Sequence, residues 1–342
     1  MVDTRFFKAT GKIALGELFN AANLSGIELP VESRHYKIDN AQTLEAAQMH
    51  DICFAAHKSY AKALDSTKAG AVIVSKALAD RVPKNSVAII CDDSHLAFVQ
   101  ILQYLFPASG YKLAAYASFS KGFEQDIEED VTLGDNVVIG QNVQLGKGTT
   151  IGPNSVIAAG VKIGRNCLIG ANVSIECSLI GDNVIIANGA TIGAEGFGWL
   201  DFGNSNIKIP QLGRVIIQSR VDIGANCSID RGALGDTMIG ENSKIGAMVE
   251  IGHGSQIGRN CLLAPMVGLA GGTILMDGVL MGANAGTAGH LTMGEGSIVH
   301  PRTSITKDWP AGSKIAGAPA QDIKDLWREY AAIRRLAKGK SK

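Results

Sequence analysis

Aliphatic residues recur at every sixth position through more than half of the chain. The stretches in phase are Leu133–Ile175, Ile180–Ile192, Ile217–Ile229 and Ile239–Ile305. A period of six fits neither an α-helix nor a long alternating strand. It suits a short strand followed by a tight turn, and three such units close a coil of about eighteen residues. The pattern therefore predicts a parallel β-helix over residues 131 to about 315.

Glycine and asparagine in the turns agree with this prediction. A glycine or small residue after each aliphatic residue tolerates a crowded corner, and Asn or Asp accepts a left-handed backbone. The chain accordingly holds 41 glycines. About 27 hexads in roughly nine coils, stacked at a strand spacing of about 4.8 Å, give a prism roughly 40 Å long. Because the interior is filled with side chains, we expect function on the outside or between copies of the chain.

The period divides the chain into three predicted units within a mainly β fold class. Residues 1–120 lack it and mix apolar runs with the helical stretch SHLAFVQILQYLF, which indicates a small α/β domain. Residues 121–316 form the β-helix, and 317–342 form a C-terminal helix. Its apolar residues stand at helical intervals: Ile323, Leu326, Tyr330, Ile333 and Leu336. This helix is either a cap or oligomer contact, or a basic docking helix for an acidic partner.

Two interruptions break the hexads, and insertions into a repeat often become binding loops on one face. The longer, residues 193–215, carries Phe197, Trp199 and Phe202 among glycines. We expect it to pack on another part of the molecule and not to be a free surface loop. The shorter, DRGALGD, is consistent with a simple bulge at a corner.

Composition narrows the possible partners and the cellular location. Lys plus Arg and Asp plus Glu are equal at 32 each, so net charge indicates neither nucleic acid nor an acidic membrane surface. The N-terminus has no signal-peptide core and no stretch is long enough to span a membrane, which predicts a cytoplasmic protein. The six cysteines never occur as CxxC, so we expect buried free thiols and neither a zinc site nor a redox pair.

Histidine is the usual general base near neutral pH, and His253 is placed for that role. Gly271 follows one coil later, which puts its N–H above the His253 corner, and His290 follows about two coils after His253. A base, a main-chain donor and a second imidazole along one groove edge suit acyl transfer. A zinc site would need three convergent histidines, and His300 is the only further one in the body, so we predict no metal.

Longer motifs add a resemblance to a known family. The stretches GAEGFGW, KIPQLGRVIIQSRVDIGANCSIDRGALGDTMIG and AGAPAQDIKDLWRE resemble UDP-3-O-(3-hydroxyacyl)glucosamine N-acyltransferase of lipid A biosynthesis, over nearly the whole chain. The resemblance implies a left-handed β-helix and a homotrimer with active sites between subunits. It also implies transfer of a 3-hydroxyacyl chain from the phosphopantetheine thioester of acyl carrier protein to the 2-amine of the UDP-linked glucosamine, with no further cofactor.

Position by position, the resemblance assigns roles to six residues. His253 matches the family's catalytic base, Gly271 its oxyanion donor and His290 its second active-site histidine. In FAAHKSY, Phe54 and Tyr60 match the aromatic residues that flank the uracil, and His57 stands at the position of the uracil-contacting Asn. The tail helix would help to dock acyl carrier protein, whose acidity suits its basic residues, which are Lys324, Arg328, Arg334 and Arg335.

Several positions depart from the family pattern. Gly246, Ala247 and Gly254 replace an Asp-Asn pair before the base and an Asn after it, and Glu195 replaces the Asp usual in the GFG loop. Together with His57, these changes keep two alternatives open. One is a paralog that acylates a different nucleotide amino sugar or uses acyl-coenzyme A. The other is a non-catalytic trimer that binds nucleotide sugar or carrier protein. Acyl chain length is not readable from the sequence.

Overall fold

Three long parallel sheets surround one aliphatic core between Asp126 and Ile315, as the hexads predict. The computed structural model describes residues 2–107, 109, 126–201, 203, 205–317 and 322–339. Paired strands within a sheet lie one coil apart in sequence, as in Leu145–Ile163. The sheets contain nine, ten and nine strands, which confirms the predicted parallel β-helix of about nine coils.

Most strands of the body are only two residues long, because each coil turns three corners. The first sheet consists of Asp126–Ile127, Gln144–Leu145, Lys162–Ile163, Ser178–Ile180, Val215–Ile217, Thr237–Ile239, Gln256–Ile257, Ile274–Leu275 and Thr292–Met293. The second consists of Thr132–Leu133, Thr150–Ile151, Leu168–Ile169, Ile185–Ile186, Asp222–Ile223, Lys244–Ile245, Leu262–Leu263, Leu280–Met281, Ile298–Val299 and Lys314–Ile315. The third consists of Val138–Ile139, Val156–Ile157, Ser174–Ile175, Thr191–Glu195, Ser228–Arg231, Glu250–Ile251, Gly268–Leu269, Gly286–Thr287 and Ser304–Ile305.

The second residue of most two-residue strands, and the last residue of the three-residue strands of the first sheet, points inward. The corners explain the turn residues. Asn136, Asn154 and Asn172 have φ of 58°, 58° and 57°, the left-handed conformation expected of asparagine in these turns. A Cβ on Gly152 would lie 2.6 Å from the main-chain carbon of Gly170, so successive corners approach too closely for a side chain. The inward column of the third sheet has one polar member, Thr287, between Leu269 and Ile305.

The head is a small α/β unit. Its four-stranded parallel sheet consists of Asn40–Ala41, Asp51–Ala55, Ala71–Val74 and Val87–Ile90. Ile13–Ala14 and Lys37–Ile38 form a separate antiparallel pair, and three short 3-10 helices span Val31–Ser33, Lys58–Tyr60 and Lys76–Arg81. The α-helices are α1 (Leu15–Ala21), α2 (Ala61–Ser66) and α3 (Ser94–Leu105). Asp93 caps α3 by accepting a hydrogen bond from the N–H of Leu96, and the helix buries Phe98 and Leu102.

The head packs directly on the two interruptions of the body. Leu212 from the longer interruption and Cys177 from the coil before it belong to the hydrophobic core of the head. Arg214 reaches across the junction, where its guanidinium lies 2.8 Å from Asp3 and 2.7 Å from Asp236. The shared hydrophobic core and the ion pairs of Arg214 hold the head against one side of the β-helix. A cleft lies between the head and the body.

The longer interruption folds into a β-hairpin, with strands Trp199–Asp201 and Asn206–Lys208. Trp199 lies under the ammonium group of Lys208, with 5.1 Å from Nζ to the ring centroid. Phe197, in contrast, is 86% exposed, so packing of this loop depends on its backbone and on the segment around Leu212 and not on every aromatic side chain. Phe202 lies outside the described residues.

The remaining parts agree with simple expectations. Five cysteines are buried free thiols, which confirms that prediction for them, and Cys91 is a half-buried free thiol. The tail forms α4 (Ile323–Gly339), and its described side chains are exposed, including Trp327 and Tyr330. Residues 318–321 and the side chain of Leu326 lie outside the described part of the chain.

Candidate active site

A cavity of about 1110 Å³ lies between the head and the body, and both interruptions contribute to its walls. The head supplies the aromatic end through Phe54, Tyr60 and His95. The hairpin loop and the DRGALGD segment also line the cavity, the latter through Leu234 and Asp236. At the other end the cavity reaches His253 and His290 on the regular coils. The sequence period alone did not predict that the shorter interruption would line a cavity.

His253, Gly271 and His290 come together as their spacing predicts. A Cβ built on Gly271 would lie 2.7 Å from Nε2 of His253, so this glycine leaves the imidazole edge open toward its backbone. The N–H of Gly272 donates to the carbonyl of His253 (2.8 Å), and the N–H of His290 donates to the carbonyl of Gly271 (3.0 Å). Main-chain hydrogen bonds therefore hold three successive coils in register at the positions that carry His253, Gly271 and His290.

The hairpin loop covers His253 from the other side. A Cβ on Gly196 would lie 2.7 Å from the Cβ of His253 and 3.0 Å from its ring Cδ2, so backbone is in contact with the imidazole. The carbonyl of Gly196 accepts a hydrogen bond of 2.9 Å from Nζ of Lys208. Lys208 thus ties the two limbs of the loop together above the histidine.

The surroundings favour a neutral imidazole at His253. Burial lowers the pKa of His253 from its ordinary value of 6.5, and the charges of His290 and Lys208 lower that pKa further. A neutral ring has a free lone pair with which to accept a proton. The electrostatics of the site therefore match the requirement for a general base near neutral pH.

Buried charges concentrate beneath the loop. Arg231 donates to the carbonyls of Gln211 and Gly193 (both 2.9 Å) and lies 3.4 Å from Glu195 and 3.6 Å from Glu176. The carboxylate of Glu195, one of the positions that departs from the family pattern, is 3% exposed and lies 3.8 Å from Lys208. Arg231 therefore holds both ends of the interruption on the coil below.

Asp230 belongs to the same buried group. The pKa of Asp230 is raised to about 7, chiefly by burial and also by Glu250, against the lowering effect of Lys208 and Arg231. Its side chain is nearly inaccessible to solvent. A carboxyl group that is half-protonated near neutral pH beneath the active-site loop is a consequence of packing that the sequence pattern did not indicate.

The aromatic end of the cavity has a layered arrangement. The ring of Phe54 stacks on His95, with centroids 4.9 Å apart and an angle of 8°, and on Phe98 at 4.8 Å. Tyr60 is tilted against Phe54 at 5.9 Å and is 39% exposed. Phe54 is engaged by these rings, so the exposed ring of Tyr60 is the part of this cluster most accessible to a flat ligand. His57 lies at the surface, where Nδ1 accepts from the N–H of Ser59 (3.2 Å), outside the cavity lining.

Three residues of this site escaped the sequence analysis. His95, Gly196 and Lys208 come from a helix of the head and from the hairpin loop, and their contacts join distant parts of the chain. The motifs GAEGFGW and KIPQLGRV contained Gly196 and Lys208, so their density of unusual residues was the available signal. For His95 the sequence offered only a histidine at the start of a helix.

The positions that depart from the family pattern have ordinary structural roles. Gly254 adopts φ of +71°, and its N–H donates to the hydroxyl of Thr237 (2.8 Å). Gly246 faces Pro265 so closely that a Cβ would lie 2.5 Å from its nitrogen.

Within the described residues there is no cluster of three His, Cys, Asp or Glu able to hold a metal ion. No helix among them is long and apolar enough to cross a membrane.

Comparison with known proteins places this architecture. Models of the bacterial hexapeptide-repeat transferases match residues 126–159, 142–177, 160–194 and 236–271, so the body is a left-handed β-helix of the hexapeptide-repeat transferase class. The model of UDP-3-O-(3-hydroxymyristoyl) glucosamine N-acyltransferase matches residues 35–104 of the head.

Full-length relatives identify the family. The UDP-3-O-acylglucosamine N-acyltransferase of Methylobacterium sp. (strain 4-46) is 39% identical over 98% of this chain and 97% of its own. That of Parvibaculum lavamentivorans is 44% identical over 99% and 97%. The chain therefore belongs to the UDP-3-O-acylglucosamine N-acyltransferase family. Among solved structures, the UDP-N-acetylglucosamine acyltransferase of Arabidopsis covers 60% of this chain and is itself covered to 75%, at 21% identity and a TM-score of 0.49.

Proposed function

We propose that the protein transfers a 3-hydroxyacyl chain from acyl carrier protein to the 2-amine of UDP-3-O-acyl-glucosamine, with His253 as the general base. Support for this proposal comes above all from the neutral imidazole of His253 beside the Gly271 backbone, at the end of a cavity whose other end is aromatic. Family membership adds the acceptor, because the relatives carry it in their names.

The proposed chemistry follows from the two groups. Nε2 of His253 accepts a proton as the amine nitrogen attacks the thioester carbonyl, and the N–H of Gly271 stabilises the resulting oxyanion. The C–S bond then breaks, the amide forms, and the proton on His253 goes to the departing pantetheine thiolate. His290 would contact the substrate beside the base. No step requires a metal or a further cofactor.

Replacement of His253 by Ala tests this assignment. Loss of a general base lowers turnover by about two to four orders of magnitude, so N-acylation of UDP-3-O-(3-hydroxyacyl)glucosamine should fall by at least about a hundredfold. The exposed His35→Ala in the head is the matched control and should keep native turnover. A His253→Ala variant with near-native turnover would exclude His253 as the base.

The aromatic end is proposed to bind uridine against Phe54 and Tyr60, with His57 as a surface residue near the rim and outside the cavity lining. Tyr60 is partly exposed and sits outside the core of the head, so its removal should leave the fold intact. Loss of one stacked ring costs about 1 kcal/mol. We expect Tyr60→Ala to raise KM for the UDP-sugar by about fivefold to tenfold with little change in kcat. An unchanged KM for the UDP-sugar would mean that the nucleotide does not bind at this end of the cavity.

Assembly as a homotrimer is proposed from the surface of the second sheet. Its outward positions include the exposed Leu168 and Ile185, which are neighbours on adjacent strands, and the exposed Leu262 further along. A row of aliphatic side chains along a sheet face suits contact with another copy. Leu168→Asp with Leu262→Asp should release monomers in light scattering, and the active sites between subunits should lose activity with them.

The three predicted units, 1–120, 121–316 and 317–342, would divide the work into nucleotide binding, catalysis and docking. Helix α4 presents exposed Lys324, Arg328 and Arg334, which suit the acidic surface of acyl carrier protein. We place the protein in the cytoplasm, where this carrier is found. Charge reversal at these residues should weaken the carrier protein's binding in a salt-dependent manner.

One alternative keeps specific support. The polar pair usual before the base is Gly246 and Ala247 here, which is compatible with another amino sugar or with acyl-coenzyme A as donor. Turnover with the two donors at equal concentration separates these readings. If neither donor supports turnover of any nucleotide amino sugar, a binding-only trimer remains.

A further inference from the structure

Two hydroxyl side chains form a small network beneath the proposed oxyanion donor. Thr287 occupies an inward position that is aliphatic in the neighbouring coils, Leu269 and Ile305. Its Oγ1 lies 2.8 Å from Oγ1 of Thr273, which is fully buried. Oγ1 of Thr273 also lies 2.6 Å from the carbonyl oxygen of Ala270, and the N–H of Ala270 donates to Oγ1 of Thr287 (3.2 Å).

The proton count gives this network a single direction. A hydroxyl has one proton to donate and two lone pairs that accept. The carbonyl of Ala270 can only accept, so the proton of Thr273 is committed to it. Thr287 must then donate to Thr273, and its own oxygen accepts from the N–H of Ala270. The three bonds close a ring around Ala270 in which every donor and acceptor is satisfied.

This ring acts on the peptide that carries the Gly271 N–H. The carbonyl of Ala270 and the N–H of Gly271 belong to one planar peptide unit, so a bond to the carbonyl fixes the direction of the N–H. A carbonyl that accepts a strong hydrogen bond also polarises its peptide, which makes the N–H a better donor. Regular coils have a comparable first bond, since Ser255 Oγ donates to the carbonyl of Gly252 at 2.7 Å. The second hydroxyl, Thr287, is the added element.

We propose that Thr273 and Thr287 are positioning residues that orient and polarise the Gly271 N–H for oxyanion stabilisation. This inference rests on the proposed function, since it takes Gly271 as the oxyanion donor. It assigns a task to a polar side chain in an otherwise aliphatic column, where packing alone favours Val, Ile or Leu.

The test separates orientation from packing because the two predict opposite effects on stability. Thr287→Val keeps the shape and restores an aliphatic column, and water can reach the exposed Ala270 N–H, so we expect an unchanged or higher Tm. Loss of a whole oxyanion donor costs about 100- to 1000-fold in kcat, so a misdirected one should cost about tenfold. Thr273→Val should lower kcat at least as much, and Thr287→Ser should restore native kcat. KM for the UDP-sugar should stay constant throughout.

The double variant Thr273→Val with Thr287→Val should be no slower than the slower single variant, because the two hydroxyls work as one unit. Native kcat in Thr287→Val, or a loss of kcat that accompanies a lower Tm and is not restored by Ser, would overturn the proposal. His253→Ala is measured in parallel. If that variant retains turnover, the proposed function fails; if it is inactive while both Val variants are native, only the positioning role fails.

Discussion

The regular coils and the two interruptions of the β-helix solve different physical problems. Between Leu145 and Ile169 the interior of the coils is aliphatic, and buried hydroxyls such as Thr149 and Ser155 donate to main-chain carbonyls. The interruptions bury ionic groups instead, with Arg231 and Glu195 both nearly inaccessible. Burial of charge is costly and is tolerated only with partners, so these segments give up stability that the coils supply.

This contrast indicates a division of labour within one chain. The coils present His253 and His290 at fixed corners, because their main chains are bonded to the coils on either side. The longer interruption packs over the His253 corner through Gly196 and Lys208. It thereby determines the solvent exposure and the electrostatics of the site. Changes to a coil should therefore affect stability first, and changes to an interruption should affect activity first.

The largest expected effect is loss of stability from a coil. Ile157 is fully buried in the third sheet, and Ile157→Ala should cost about 3 kcal/mol, within the usual 2–5 kcal/mol for such truncations. Denaturation at a fixed protein concentration measures this cost. The outward neighbour on the same strand, Val156→Ala, is the control and should cost less than about 1 kcal/mol. Equal losses at the two positions would contradict the inward column.

An interruption should show the reverse behaviour. In Gly196→Ala the new methyl group would lie 2.7 Å from the Cβ of His253, so the loop or the imidazole must move. A displacement of about 1 Å can cost about a hundredfold in kcat, which corresponds to about 2.7 kcal/mol in the barrier. We expect Tm to change little. Gly26→Ala in the head, where a Cβ meets open space, should change neither quantity.

A lower Tm in Gly196→Ala with native kcat would reverse the comparison. It would mean that the loop supports the fold and that the histidine tolerates displacement.

The same contrast explains what the sequence could predict. A coil is a local object: Ile163 pairs with a residue one turn away, and its period is visible in a single chain. The spacing of His253, Gly271 and His290 was readable for that reason. Lys208, Glu195 and His95 meet their partners through contacts between distant segments, which no period encodes. His57 matched a family motif, yet the fold places its side chain at the surface, where it caps a 3-10 helix.

Asp230 offers a pH-dependent test of the buried charges. Its folded pKa of about 7 lies above the ordinary 3.8, so ionisation in the folded state is unfavourable. The penalty is absent below pH 3.8, grows between pH 3.8 and 7, and is complete above 7. Asp230→Asn removes it and should raise the free energy of unfolding above pH 7, with little gain near pH 4.

Thermal unfolding at pH 5 and pH 8 measures this difference. Asp236→Asn is the control with the opposite sign, because its carboxylate is bonded to Arg214 and its loss should lower Tm. If Asp230→Asn gave the same shift in Tm at both pH values, the raised pKa of Asp230 would be refuted.

The smallest effect concerns the base itself and joins the two regions. A base must be deprotonated, so the acidic limb of kcat/KM follows the pKa of His253, and we expect it below pH 6.5. Burial under the loop is the largest cause of that lowering, and the charge of His290 is the next. His290→Asn removes only the effect of His290, so the midpoint of the acidic limb should move to a higher pH but stay below 6.5, even though turnover falls. If the acidic limb of the native protein lay at or above pH 6.5, burial under the loop would not lower the pKa of His253. The interruptions would then have no electrostatic effect on the base that the coils present.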